Sequence, residues 1–172
     1  MESPNPHPNT CRIRVEPYLA QYARRKFSVD AETGGIRIPC SYNLYHCVWH
    51  AMQKWPSVRT WMGLGRRADA PAGNLVIHLP DRRTPEDGLR KNPRYWNYIS
   101  PRNARLLAAE LKRLFDWDLH HYVDDLAGSM TRKDAVRQFC RYWGLGIDTE
   151  DTLLKNLQRR DRRRRLQFLQ YP

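Results

Sequence analysis

The sequence has few of the features that identify a common enzyme, a secreted protein or a membrane protein. Its four cysteines form no C-x-x-C pair, and the 172 residues contain no glycine-rich phosphate loop, serine elbow or kinase motif. The proline-rich start lacks the apolar core of a signal peptide, and no apolar run approaches the roughly 20 residues that span a bilayer. These absences predict a cytoplasmic protein with no membrane partner, no cofactor, no bound metal and no recognisable catalytic residue.

Positive charge, most of it on arginine, is what the sequence has in excess. The chain contains 30 Lys and Arg against 18 Asp and Glu, a formal net charge of +12. Such a field attracts polyanions, and arginine forms paired hydrogen bonds with phosphate and with guanine. Nucleic acid is therefore the expected partner, with DNA favoured and RNA left open, although a ribosome-like or membrane-surface role fits the same charge.

The hydrophobic pattern predicts an α+β fold, a mainly helical single domain with a small sheet and a C-terminal helix-turn-helix-like hairpin. A hydrophobic content of 41%, with 6 Trp and 9 Tyr, is enough to build a core. We expect a flexible leader at residues 1–10, a mixed α/β core at 11–128, and a basic helical hairpin and arm at 129–172.

Proline and capping residues mark the expected ends of several helices. Ser41 is expected to cap a helix that Pro56 ends, while Ser100 and Pro101 begin the longest helix, which runs almost to Gly128. Another helix should begin at residue 17, and the runs "RIRV", "IRIP" and "NLVIHLP" predict short strands. The inward face of the longest helix is expected to comprise Leu106, Leu107, Leu111, Leu114, Phe115, Leu119, Tyr122, Val123 and Leu126.

The C-terminal segment has the order of a helix-turn-helix. "TRKDAVRQFCRYWG" predicts a helix ended by Gly144, and a second helix should be capped by Asp148 or Thr149. In DNA-binding proteins with this order the second helix enters the major groove. Here the turn is longer than usual and the position expected to be buried falls on Glu150 or Asp151, so an ordinary helical hairpin is the alternative.

The second helix of the hairpin is amphipathic in its first half and charged on all sides in its second half. Leucines at 153, 154 and 157 face one side, whereas the six arginines from 159 to 165 point all round a helical wheel. A helix charged all round projects into water, frays, or lies against a polyanion. Apolar residues follow the arginines and could dock on a second copy of the chain, which leaves a homo-oligomer open. The predicted nucleic-acid-binding residues are Arg137, Arg141, Lys155, Arg159, Arg160, Arg162, Arg163, Arg164 and Arg165.

A second basic segment, "RKNPRYWNYISPR", interleaves aromatic and cationic residues. Tyr95, Trp96 and Tyr98 could stack on unpaired bases while Arg94 and Arg102 follow the backbone of a single strand. The competing interpretation, which we favour, is that these aromatic side chains pin a long loop to the core.

Potential zinc ligands cluster in "CSYNLYHCVWH". Two histidines four residues apart, His46 and His50, can share a zinc ion on a helix, with Cys40 and Cys47 nearby. The histidines lie opposite the apolar stripe whereas Cys47 lies near it, so Cys47 is better explained as a small core residue.

Potential ligands for a divalent ion occur in "DWDLHHYVDD". Asp116, His120 and Asp124 follow at four-residue steps, with His121 and Asp125 beside them, which would suit metal-dependent phosphodiester hydrolysis. The same spacing is typical of ion pairs on a helix surface.

As a whole, the chain resembles small basic accessory or regulatory proteins of bacterial prophages and other mobile elements. The segments that carry the resemblance are "IRIP", "LYHCVWHAM", "NLVIHLPDRR" and "YWNYISPR" followed by the arginine-rich hairpin, over most of residues 12–165. It implies a DNA transaction such as regulation, integration or packaging, and transfers no catalytic residue. The leading hypothesis is a non-enzymatic protein that binds duplex DNA; the alternatives are an RNA or single-strand binder, a metal-dependent nuclease and a protein-interaction adaptor.

Overall fold

The described part of the chain combines five helices with a four-stranded sheet, which confirms the predicted mainly helical α+β class. The chain groups into two compact units, an N-terminal unit (Met1–Lys112) and a C-terminal unit (Arg113–Pro172). The domain boundaries drawn from the sequence stay a prediction. The computed structural model describes residues 9–54, 73–83, 88 and 90–168, with the side chains of 147, 148 and 160–168 left outside the description.

The sheet of the N-terminal unit consists of β1 (Thr10–Ile13), β2 (Ser28–Val29), β3 (Ile36–Arg37) and β4 (Leu75–His78), in the order β1-β4-β3-β2. Its outer pairs are antiparallel and its central pair, β3 with β4, is parallel. Isoleucines and leucines on one face of the sheet are buried, as β-branched and aliphatic residues on a packed face should be.

The sheet begins earlier in the chain than the sequence pattern suggested. Thr10 was expected in the flexible leader, yet it is buried in β1, and the amide of Leu79 donates to the carbonyl oxygen of Asn9 at 2.8 Å. The rest of the leader, residues 1–8, lies outside the described residues. Pairing with β4 is what brings residues 9 and 10 into the fold.

Helix α1 (Pro17–Lys26) begins at the predicted proline and buries Tyr18, Leu19, Tyr22 and Ala23. A proline costs nothing at this position because the first amides of a helix have no carbonyl partner within it.

Helix α2 (Asn43–Ala51) departs from its predicted ends. No side chain caps it, so the assignment of Ser41 as the cap was wrong, and it stops at Ala51 rather than continuing toward Pro56, which lies outside the described residues. The reason is a tertiary contact: the backbone of Gln53 pairs with that of Tyr98 through bonds of 2.9 and 3.1 Å. A strand-like pairing of Gln53 is incompatible with continuation of the helix.

Helix α3 (Pro101–Asp125) starts as predicted. The hydroxyl of Ser100 accepts a hydrogen bond from the amide of Asn103 at 3.2 Å. Its buried stripe was predicted one residue too wide, because Leu106 is 60% exposed. Leu106 lies about 100 degrees round the helix from the fully buried Leu107, away from the packed side.

The C-terminal unit contains the end of α3 followed by α4 (Arg132–Trp143) and α5 (Ile147–Phe168). Phe139 of α4 forms its aromatic centre, with its ring 5.6 Å from that of Phe115 and 5.5 Å from that of Tyr122. Thr131 caps α4 by accepting from the amide of Asp134 at 3.2 Å. The order of helix, turn and helix predicted from the sequence is confirmed.

The turn between α4 and α5 is a Schellman motif centred on the predicted glycine. Gly144 has φ 63°, its amide donates to the carbonyl of Arg141 at 3.2 Å, and the amide of Leu145 donates to that of Cys140 at 2.8 Å. Helix α5 then begins at Ile147, so the predicted caps, Asp148 or Thr149, lie inside its first turn. The correction arises because the amide of Thr149 already bonds to the carbonyl of residue 146, at 3.0 Å.

Candidate nucleic-acid interface

The first half of α5 docks on its own unit, and its outer side exposes Asp151 and Lys155 before the first arginine, Arg159. Leu153 and Leu157 are buried, whereas Lys155 and Arg159 are exposed. On the neighbouring helix, Arg141 is also exposed. Three of the predicted contact residues therefore present their cations to solvent.

Helix α5 is much longer than the helix it packs against. It has 22 residues against 12 in α4, and the two are joined by a turn of only three residues. At about 1.5 Å per residue, the ten additional residues correspond to about 15 Å of helix. The backbone is helical through Phe168, so this additional length includes the arginine-rich stretch, although the side chains of Arg160, Arg162, Arg163, Arg164 and Arg165 lie outside the description.

Arg137 occupies a different environment from the other predicted contacts. Its guanidinium lies 3.3 Å from a carboxylate oxygen of Asp134 and 3.6 Å from one of Glu150 on α5. The Glu150 side chain is only 20% exposed, and it occupies the position where a helix-turn-helix would bury an apolar residue. Arg137 thus ties α4 to α5, and two carboxylates already balance its charge.

In the second basic segment, the ring of Trp96 is occupied by cations of its own unit. The ammonium of Lys54 lies 5.3 Å and that of Lys91 5.0 Å from the ring centre, and the tryptophan is half-buried. Lys91 also donates to the carbonyl oxygens of Trp49 and Met52, at 2.7 and 3.2 Å, and burial lowers the pKa of its ammonium. Trp96 therefore belongs to a packed cluster.

Of the other predicted contact residues in the second basic segment, one is held against the N-terminal unit and the rest are exposed. Tyr98 is half-buried, and its backbone pairs with Gln53. Tyr95 is 62% exposed, and Arg94 and Arg102 are exposed as well. This arrangement supports the interpretation that we favoured, in which the aromatic residues pin the loop, and leaves Tyr95 as the aromatic side chain of the three that is open for stacking.

Among the described residues, neither of the two potential metal-ligand clusters considered from the sequence is assembled. Among the described residues, no group of three or more His, Cys, Asp and Glu side chains could hold a metal ion. Cys47 is half-buried and its sulfur accepts from the side-chain amide of Asn43 at 3.7 Å. His121 pairs with Asp125 at 3.8 Å, an ordinary contact between residues four apart on a helix. The zinc and nuclease interpretations have no support in this part of the chain.

The sequence pattern did not connect the first arginine of the second basic segment, Arg90, with Arg82. Arg82 and Arg90 oppose each other in an isolated antiparallel bridge. Their separation in "DRRTPEDGLRK" gives no helical or strand periodicity, so only the bridge itself reveals the pairing.

Within the residues that the structure covers, no helix is both long enough and apolar enough to cross a membrane. Comparisons with protein-family models, with curated proteins and with solved structures find no match. The resemblance to prophage proteins stays a prediction, and function has to be argued from the chain's own geometry and charge.

Proposed function

We propose that this protein binds duplex DNA through α5 and does so without enzymatic activity. The observation that carries the proposal is the continuation of α5 as a helix over the arginine-rich stretch, beyond the length of its partner helix. A frayed tail was the main alternative for this stretch. A helix with six arginines in seven residues suffers strong internal repulsion, which phosphate neutralises.

The dimensions of α5 favour a duplex over a single strand. A helix with its side chains is about 10–12 Å across, close to the roughly 12 Å width of the B-DNA major groove. A single-strand platform would instead need accessible aromatic rings. The pinning of Trp96 and Tyr98 speaks against that use of the second segment.

The proposed contacts are narrower than the set predicted from sequence. Lys155 and Arg159 belong to the exposed face of α5, and Arg141 is exposed on α4. Arg137 is left out because of its two carboxylate partners. A cytoplasmic location and a regulatory or mobile-element role are part of the proposal and derive from the sequence alone.

The test is a salt-titrated binding series on duplex DNA, single-stranded DNA and RNA. One variant replaces all six arginines from 159 to 165 with glutamine, which keeps helix propensity, and a matched variant replaces them with lysine, which keeps the charge. If each arginine neutralises one phosphate, the glutamine variant loses about five from the magnitude of the slope of log K against log salt on duplex DNA. The lysine variant should keep most of that slope.

Other outcomes would separate the alternatives. Unchanged affinity and slope in the glutamine variant would contradict a role of α5 in binding. Tighter binding to single strands that depends on Tyr95 would favour the single-strand alternative. Absence of binding to every nucleic acid at about 50 mM salt, where non-specific binding is strong, would favour a protein-interaction adaptor.

A further inference from the structure

Among the described side chains of α5, only Leu153 and Leu157 are buried. They are four residues apart, which is about 6 Å along the helix axis. The helix continues from Leu157 to Phe168, so its basic part extends well beyond the two leucines. A further contact near the start of α5 would therefore have a large effect on the direction of the basic part.

Glu150 makes a contact of this kind. It lies one turn before Leu153 and within about 60 degrees of that leucine around the helix, so both face the same side. Its side chain is 20% exposed, and one of its carboxylate oxygens lies 3.6 Å from the guanidinium of Arg137 on α4. Burial raises the pKa of the Cys140 thiol to about 11, and the charge of Glu150 contributes to this rise. The carboxylate therefore also lies close to the next turn of α4.

Arg137 is itself held in place by contacts within α4. Its guanidinium donates to one carboxylate oxygen of Asp134 at 3.3 Å. The other carboxylate oxygen of Asp134 accepts from the hydroxyl of Thr131 at 2.5 Å, and the hydroxyl oxygen accepts from the amide of Asp134 at 3.2 Å. Since Thr131 is the N-cap of α4, these contacts connect the start of α4 to the start of α5.

Small movements at Glu150 are enlarged at the far end of α5. Along the axis, Glu150 lies about 4.5 Å on one side of Leu153, and residue 165 lies about 18 Å on the other. If the helix turns about Leu153 as a straight rod, a shift of about 1 Å at Glu150 moves the backbone of residue 165 by about 4 Å. That distance exceeds the roughly 3.4 Å rise between successive phosphates of one DNA strand.

We propose that Arg137 and Glu150 are positioning residues, whose ion pair sets the direction of α5 for binding to DNA. This role rests on the function proposed for α5. Neither side chain contacts phosphate, because two carboxylates balance the charge of Arg137 and the charge of Glu150 repels a polyanion. A carboxylate thus favours the binding of DNA, a result that the net charge of the chain would not predict.

The first experiment compares two substitutions that remove one negative charge from neighbouring positions. Glu150→Gln breaks the ion pair, whereas Asp151→Asn removes the charge of an exposed residue. Fluorescence anisotropy measures affinity for a labelled duplex at a temperature at which circular dichroism shows both variants fully folded. Glu150→Gln should weaken binding by about threefold although it makes the protein more positive. Asp151→Asn should bind at least as tightly as the unaltered protein.

A double-mutant cycle separates positioning from direct contact. Arg137→Gln should also weaken binding by about threefold, but it should have no further effect when Glu150→Gln is present, because the pair is already broken. Arg141→Gln, at an exposed position on the same helix, should weaken binding by the same factor in both backgrounds. A purely structural role of the pair would lower the Tm of these variants and leave their affinities unchanged, which would contradict positioning.

Two further results would overturn the proposal. One is a gain in affinity for Glu150→Gln that matches that of Asp151→Asn, which would make the carboxylate only repulsive. The other is an equal loss from Arg137→Gln with and without Glu150→Gln, which would place Arg137 on phosphate. The six-glutamine variant of α5 distinguishes both results from a failure of the proposed function, because unchanged binding by that variant would contradict binding through α5 itself.

Discussion

The lack of a side chain at Gly73 allows the backbone before β4 to lie directly against the end of β1. A β-carbon at this position would overlap the backbone of Ile13, whose nitrogen would lie 2.6 Å away. Next to it, the side-chain amide of Asn74 bonds to both the amide and the carbonyl of Val15, each at 2.9 Å. The backbone after β1 is thus held against the start of β4 over a very short distance.

Substitution of this glycine should therefore lower stability. Gly73→Ala is expected to reduce the free energy of unfolding by roughly 1–3 kcal/mol, the usual cost of overpacking, because Ile13 must move. Gly88→Ala is the control, since no atom of the described residues lies within 4 Å of its added carbon. Urea unfolding of both variants measures the difference, and equal midpoints would show that the junction relaxes without cost.

Residue types alone could indicate the chemistry of the candidate site but not the partners of each side chain. Arg137 was predicted to contact nucleic acid, and its partner Glu150 lies on the next helix, where no periodicity connects the two. Trp96 likewise has the composition of a stacking residue, and only folding shows that Lys54 and Lys91 flank its ring. Arg137 and Glu150 lie on consecutive helices, and Lys54 is 42 positions from Trp96, so neither contact follows from local sequence.

At the scale of elements, replacing one glycine of the α4–α5 turn with alanine should lower stability, whereas replacing the other should not. Gly144→Ala is expected to lower the free energy of unfolding by about 1–2 kcal/mol, since a β-carbon is disfavoured in the left-handed conformation. Gly146→Ala should have little effect, because φ is not positive there and no described atom lies within 4 Å of the added carbon. Thermal unfolding monitored by circular dichroism checks both, and equal loss in the two variants would contradict the assignment.

The ends of helices were predictable where a residue at the end itself determines them. Pro17, Ser100 and Gly144 act through the backbone of their own helix, and all three were assigned correctly. The end of α2 was not predictable, because the pairing of Gln53 with Tyr98 involves residues 45 positions apart. The small sheet was predicted in outline, while its strand order needed the long-range pairs.

At the scale of the whole molecule, most of the net charge lies away from the arginine-rich stretch. Residues 1–112 contain 18 Lys and Arg against 9 Asp and Glu, whereas residues 113–172 contain 12 against 9. The six arginines of α5 thus account for the positive balance of the C-terminal unit, and the N-terminal unit is basic without them.

This distribution predicts residual binding when the arm is neutralised. The six-glutamine variant keeps a formal net charge of +6, so it should still bind duplex DNA at about 50 mM salt, with a shallower slope, and should release it by about 200 mM. Fluorescence anisotropy with a labelled duplex measures this. Complete loss of binding at low salt would instead concentrate the whole interaction in α5.

The length of α5 beyond its partner also determines how far its arginines extend. Each residue inserted or removed between Leu157 and Arg159 would shift the arginines by about 1.5 Å along the axis and rotate them by about 100 degrees around it. Because the six arginines are distributed all round the helical wheel, this rotation leaves positive charge on every side, whereas the shift along the axis moves the whole basic stretch. The number of residues between the docked and basic parts of α5 therefore sets how far that stretch reaches.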